Sequence, residues 1–176
     1  MNTSLPSLND ILDMHKAGNL SAAKEAYLQF LAAAPNHAEA MHLLALLLAE
    51  QGELDTAQQY LEKAIEINPD DMQYQLHLGN VLKAKNLFPQ AEKVLAALTK
   101  KQPTFAAAFN NLGTVYFLQK KWLEAIGAFQ AALDVQANYI DAYYNLGLAF
   151  LQLHQLEEAQ TSFKSLLELA LSLIHI

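Results

Sequence analysis

The chain has 176 residues, 53% of them hydrophobic and 16% charged, the balance of a folded polypeptide with room for one ordinary domain or one array of small repeats. Its formal net charge of −7 argues against wholesale nucleic-acid binding, and since all 11 basic residues are lysine, bidentate arginine recognition of phosphate or carboxylate is excluded. Cysteine is absent, which removes disulfides, thiolate metal sites and cysteine nucleophiles and fits a reducing, cytoplasmic setting.

The opening MNTSLPSLND lacks a positive patch followed by an apolar core, so it does not read as a signal peptide. No run of about 18 apolar residues is present, so no membrane span is expected. Charge is unevenly spread. Residues 1–71 carry 11 acids against 3 lysines, residues 72–121 carry 7 lysines against Glu92 alone, and residues 122–176 carry 6 acids against Lys164 alone. The basic middle reads as a solvated face. Alanine and leucine dominate and β-branched residues are few, which favours helix.

Taken in order, the chain repeats itself every 34 residues. The first copy, residues 4–37, carries Asp10 and Ile11 where later copies have leucine followed by alanine or glycine; a more polar face is expected of a terminal repeat. The second, residues 38–71, is the best-kept: AEAMHLLALLLAEQGELDTAQQYLEKAIEINP reads as two short amphipathic helices, a tight turn and a closing proline. Asp70 and Asp71 read as the cap of the helix that follows. The third, residues 72–105, places Pro89 in the first turn of its second helix, where a missing N–H costs nothing. The fourth spans residues 106–139 and the fifth residues 140–171, with 172–176 as a tail. The fifth closes on SLLELALSLIHI without proline or turn. Leu166, Leu167, Leu169, Leu171, Leu173, Ile174 and Ile176 are expected to leave apolar surface open there, as in an array that continues further or one that self-associates through this helix.

Several columns recur in register. Ala23, Ala57, Ala91, Ala125 and Ala159 form one, and Leu44, Leu78, Leu112 and Leu146 another, followed by Ala45, Gly79, Gly113 and Gly147. Large residues stand at Leu48, Leu82, Tyr116 and Phe150, and at Tyr27, Leu61, Leu95, Phe129 and Phe163. The small residue of the first helix, set against the recurring alanine of the second, is expected to let the two helices approach closely. Between the helices the chain needs a left-handed residue, supplied by Gly18, Gly52 and Asn86, and at some strain by Lys120 and His154. An apolar anchor follows: Leu20, Leu54, Phe88, Trp122, Leu156. Pro35, Pro69 and Pro103 are expected to stop the second helices, with Ala137 in the fourth such place.

This pattern resembles the tetratricopeptide repeat, whose helix–turn–helix unit has a Leu-Gly pair in the first helix, an alanine early in the second, a bulky residue one turn on, and a proline after it. His77 to Gly79, Asn111 to Gly113 and Asn145 to Gly147 carry the pair, and the resemblance covers roughly residues 4 to 171. It implies an all-α fold: five helix pairs stacked into a right-handed superhelical solenoid, with the first helices lining a concave groove.

By alignment that groove holds Glu39, His42, Leu46 and Ala49 in the second repeat, then Gln73, Leu76, His77, Asn80 and Lys83 in the third. The fourth adds Asn110, Asn111, Thr114, Phe117 and Leu118, and the fifth Asp141, Tyr144, Asn145, Leu148 and Leu151. Asparagine offers both donor and acceptor to an extended peptide backbone, which singles out Asn80, Asn111 and Asn145. The bland alternative is that these amides only brace neighbouring repeats or face water. Phe117, Leu118, Tyr144, Leu148 and Leu151 read either as an apolar strip for a partner or, in part, as packing between repeats, and Lys83, Lys120 and Lys121 favour an acidic ligand. Some family members grip chaperone C-terminal carboxylates with cations; here those places hold Leu76, Asn80, Asn111, Asp141 and Asn145, and Asp141 would repel such a tail.

The 6 histidines form no metal-ligand pattern, His42 and His77 lying in successive repeats. No oxyanion loop or phosphate cradle accompanies the Ser, His and Asp residues, and no cofactor is implied. The expected function is a non-catalytic scaffold binding a protein or peptide segment in the groove. The alternative is a targeting module of a larger glycosyltransferase- or methyltransferase-like enzyme.

Overall fold

The computed structural model describes residues 6–174, and side chains through residue 172. The start of the first repeat at residue 4 and the side chains of Leu173, Ile174 and Ile176 lie outside them. The described residues form helices and no strand: α1 (Leu8–Lys16), α2 (Leu20–Ala33), α3 (Ala38–Glu50), α4 (Leu54–Ile67), α5 (Met72–Ala84), α6 (Phe88–Lys101), α7 (Ala106–Leu118), α8 (Trp122–Val135), α9 (Ile140–Gln152) and α10 (Leu156–Ile174). The fold is that of an all-α tetratricopeptide solenoid. The chain divides into two compact units, Met1–Lys85 and Asn86–Ile176, so α1 to α5 belong to the first and α6 to α10 to the second.

Each second helix opens on its apolar anchor, after a turn residue with positive φ: Gly18 and Gly52 at 80°, Asn86 at 59°, Lys120 at 61° and His154 at 58°. The left-handed turn is therefore kept even where the residue is a poor fit for it. The prolines prove unnecessary for stopping the second helices. Gln136, followed by Ala137, adopts φ −138° and ψ 92°, close to the −132° and 79° of Gln102 before Pro103. The same end conformation therefore forms with or without a following proline, whose restriction of the preceding residue agrees with it. α10 runs through residue 171, where the fifth repeat was expected to close, to Ile174. Neither proline nor glycine interrupts it, and Leu167 and Leu171 are exposed.

α1 is shorter than the other first helices, and its caps explain the divergent sequence. Ser7 is the N-cap and Asp10 the third helical residue of a capping box: the Asp10 carboxylate accepts from Ser7 N–H at 2.9 Å, and Ser7 Oγ accepts from the Asp10 N–H. Asp10 thus occupies the leucine column because the helix begins there. Its side-chain and backbone bonds with Ser7 hold the Asp10 pKa down. At α5 the cap is Asp71, whose carboxylate accepts from the Gln73 N–H at 2.9 Å.

In the first unit the core is Ile11, Tyr27, Leu44, Leu47, Leu48 and Leu61, with the fully buried Ala23 and Ala57 between helices. In the second unit Ala125, Ile126, Phe129, Leu146 and Ala149 form a cluster that Tyr116, Phe117, Leu133, Phe150 and Leu153 complete. The small-residue column differs from expectation. A Cβ on Gly113 would lie 2.6 Å from the Phe129 ring, and one on Gly147 2.6 Å from the Phe163 ring. The glycine makes room for the bulky residue of the second helix, not for its alanine. Where that residue is Leu61, the small position carries a methyl, Ala45, and both are fully buried.

Candidate functional site

Polar side chains join successive hairpins at two recurring places. Lys24, Gln58 and Glu92 sit 34 residues apart on second helices, and each reaches the turn of the following hairpin. Lys24 pairs with Glu53 at 2.5 Å, and Gln58 accepts from Lys85 at 2.7 Å, Lys85 also pairing with Asp55. In the second unit Glu92 accepts from both Lys121 and Gln119 at 2.8 Å. Those two bonds, Lys121 first, hold the Glu92 carboxyl below its usual pKa, and the bond to Glu92 raises that of Lys121. Lys121 was expected to attract an acidic ligand; its charge is instead spent on Glu92.

The second place lies between first helices, at a spacing of 35. Asn145 Nδ2 donates to Asn110 Oδ1 at 3.0 Å, joining α9 to α7. His42 Nε2 stands 2.7 Å from His77 Nδ1, joining α3 to α5. Asn110 was expected to line the groove; it is 6% exposed and its carbonyl oxygen is occupied by Asn145. Burial requires such a partner, so this amide pair braces the repeats. Sequence reasoning named all four residues and missed their pairing. The signal was available: each pair is separated by one repeat length plus one residue.

The remaining groove candidates fall differently. Asn111, the next residue of α7, is half-buried. Thr114 Oγ1 donates to the Asn110 carbonyl within its own helix, at 2.9 Å. Phe117, expected on the apolar strip, is partly buried in the second-unit cluster and meets Trp122 edge-on, with ring centroids 4.9 Å apart. Tyr144 is 51% exposed and its ring leans towards Phe163, while Leu148 is half-buried and Leu118 and Leu151 are exposed. In the first unit Asn80 has a buried Oδ1 without a hydrogen-bond partner, and burial lowers the Lys83 pKa.

A depression on the first-helix faces gathers Leu46, expected in the groove, with residues that were not anticipated there. It lies in the first unit, about 430 Å³ in volume, floored by Leu12, Leu20, Leu43 and Leu46 and edged by His15, Lys16 and Glu50. His15 Nε2 meets Glu50 Oε2 at 3.3 Å, and His15 Nδ1 is buried without a partner. His15 shares the column of Lys83 and Phe117, which marked it as a groove position. Among the described residues no three His, Cys, Asp or Glu side chains are placed to hold a metal ion. No helix among them is long and apolar enough to cross a membrane.

Repeated helical hairpins with open apolar positions on their first helices define a class, that of helical-repeat proteins built for protein interaction. The chain belongs to the tetratricopeptide repeat family: models of that repeat match residues 16–71, 48–112 and 104–172. Protein O-mannosyl-transferase TMTC3 of Homo sapiens is 31% identical over 74% of this chain, and the chloroplastic tetratricopeptide protein PYG7 of Arabidopsis thaliana 27% identical over 65%. The chain spans only 15% and 40% of the length of these two relatives. Among solved structures, MamA from Desulfovibrio magneticus RS-1 superposes with a TM-score of 0.82 at 22% identity, covering 93% of each chain. YrrB, described as a TPR protein with an unusual peptide-binding site, superposes at 0.71 with 18% identity, covering 92% of this chain and 84% of its own. At these identities the structural likeness speaks for the fold.

Proposed function

We propose that the chain is a non-catalytic scaffold that binds a peptide or protein segment along the first-helix faces. The observation that carries this reading is the apolar depression between α1 and α3, a place for one apolar side chain of the ligand. In the second unit Tyr144 and Leu148 offer further apolar contact, and Asn111 is the amide available to a ligand backbone. Asn110 and Asn145 contribute indirectly, by fixing α7 against α9.

The test is selection of a ligand from a random peptide display library, followed by calorimetry on variants. Leu46→Glu and Leu148→Glu place a charge on half-buried apolar positions and are expected to weaken binding at least about tenfold, one or two kcal/mol. Asn111→Ala is expected to weaken it less. Affinity unchanged in both leucine variants sinks the proposal.

The match to a named transferase, over 15% of its length, favours a second reading in which the same faces recruit substrates for an attached catalytic domain. Sequencing the reading frame on either side of this stretch separates the two.

A further inference from the structure

We infer that the junction between α3 and α5 is an acid-sensitive latch: the His42–His77 bond holds while the two rings share at most one added proton, and breaks when both are protonated, freeing α5 from α3. The centroids are 4.8 Å apart while the facing nitrogens are 2.7 Å apart, and the rings are inclined by only 27°. The rings therefore meet edge to edge and nearly coplanar, the geometry of a directed N–H···N bond. Such a bond needs one donor and one acceptor. Two neutral imidazoles provide it, and so does one imidazolium with one imidazole. Two imidazolium ions place N–H against N–H at the same contact, and the junction must open.

The surroundings oppose protonation. His42 is 9% exposed. From α5, Tyr74 places its ring 4.7 Å from that of His42, and Asp71 at the α5 N-cap is the carboxylate that favours charge on both histidines. Glu39, on the same helix as His42, acts on Tyr74. The Gln73 backbone also favours the charged His77. Among the described residues, α1, α2 and α4 supply no group acting on either ring. Burial first, then His77, lowers His42 from 6.5 to about 4, and burial lowers His77. The unfolded chain takes up these protons below about 6.5 while the folded chain resists, so the stabilisation is complete above 6.5 and is lost as pH falls towards about 4.

The second unit contains the matched control. Asn110 and Asn145 occupy the equivalent pair of positions, two repeats further on, with an amide pair that does not titrate. Converting the histidine pair to His42→Asn/His77→Asn should keep a junction bond and remove its response to acid.

The experiment is urea unfolding of wild type and this double variant at about pH 7.5 and about pH 4.5, with amide exchange read in α5 at each pH. The wild-type unfolding constant should rise more than about tenfold beyond the rise in the variant. Protection of α5 should fall in the wild type alone. Equal pH dependence in the two proteins overturns the inference. Should the variant fail to fold, nitrogen-detected NMR titration of the wild-type imidazoles decides: both rings titrating near 6.5, the ordinary value, also overturns it.

Discussion

A missing methyl group at Gly113 sets how closely α7 and α8 pack. The Phe129 ring fills the space a Cβ would take and is itself 1% exposed, so it has nowhere to go. Gly113→Ala therefore adds overpacking worth about 1–3 kcal/mol. Against this stands the gain of roughly 1 kcal/mol that alanine brings to a helix interior. A net loss of about 1 kcal/mol is expected in urea unfolding. Adding Phe129→Leu, which recreates the Ala45–Leu61 combination, should remove the steric part, so that in the Phe129→Leu background Gly113→Ala becomes neutral or stabilising. A penalty that persists in that background would show that the backbone, not the ring, is the obstacle.

Among the elements, the five turns within the hairpins share one left-handed conformation but not one residue type. Lys120 holds φ 61° without the freedom of glycine. A non-glycine residue there costs about 1–2 kcal/mol, while glycine would loosen the unfolded chain by roughly 0.4–1 kcal/mol. Lys120→Gly is expected to raise stability by about 0.5–1 kcal/mol, seen as a higher urea midpoint with an unchanged slope. The reverse change, Gly52→Lys, should lower the midpoint. The repeated latch from second helix to next turn, Lys24–Glu53 and then Glu92–Lys121, adds little, since these pairs are partly solvated.

For the whole molecule, the division at Lys85 and Asn86 matters most. Repeat proteins unfold as neighbouring units with coupled, separable stabilities. Leu48, 1% exposed in the first unit, loses about 2–5 kcal/mol on truncation to alanine. Hydrogen exchange of Leu48→Ala is expected to quicken most in α1 to α5 and least in α9 and α10. Uniform acceleration across all ten helices would show instead that the chain unfolds as a single cooperative block.

The sequence by itself determined the helices, their period and their turns. Gly18, Gly52, Asn86, Lys120 and His154 were legible because a short helical hairpin needs a left-handed residue at one fixed register. The recurring columns were legible because each repeat solves the same packing problem. Tertiary structure alone decided how the polar positions on the first helices are used. Asn110 and Asn145, and His42 and His77, sit in groove columns by alignment, yet their side chains bond to each other across hairpins. A 34-residue period gives each residue its face, but the separation of two faces depends on the volumes packed between them. The same limit hid the depression between α1 and α3. Leu46 falls on the groove by alignment, but that Leu12, Leu20 and Leu43 join it in one open floor follows only from the spacing of the packed helices.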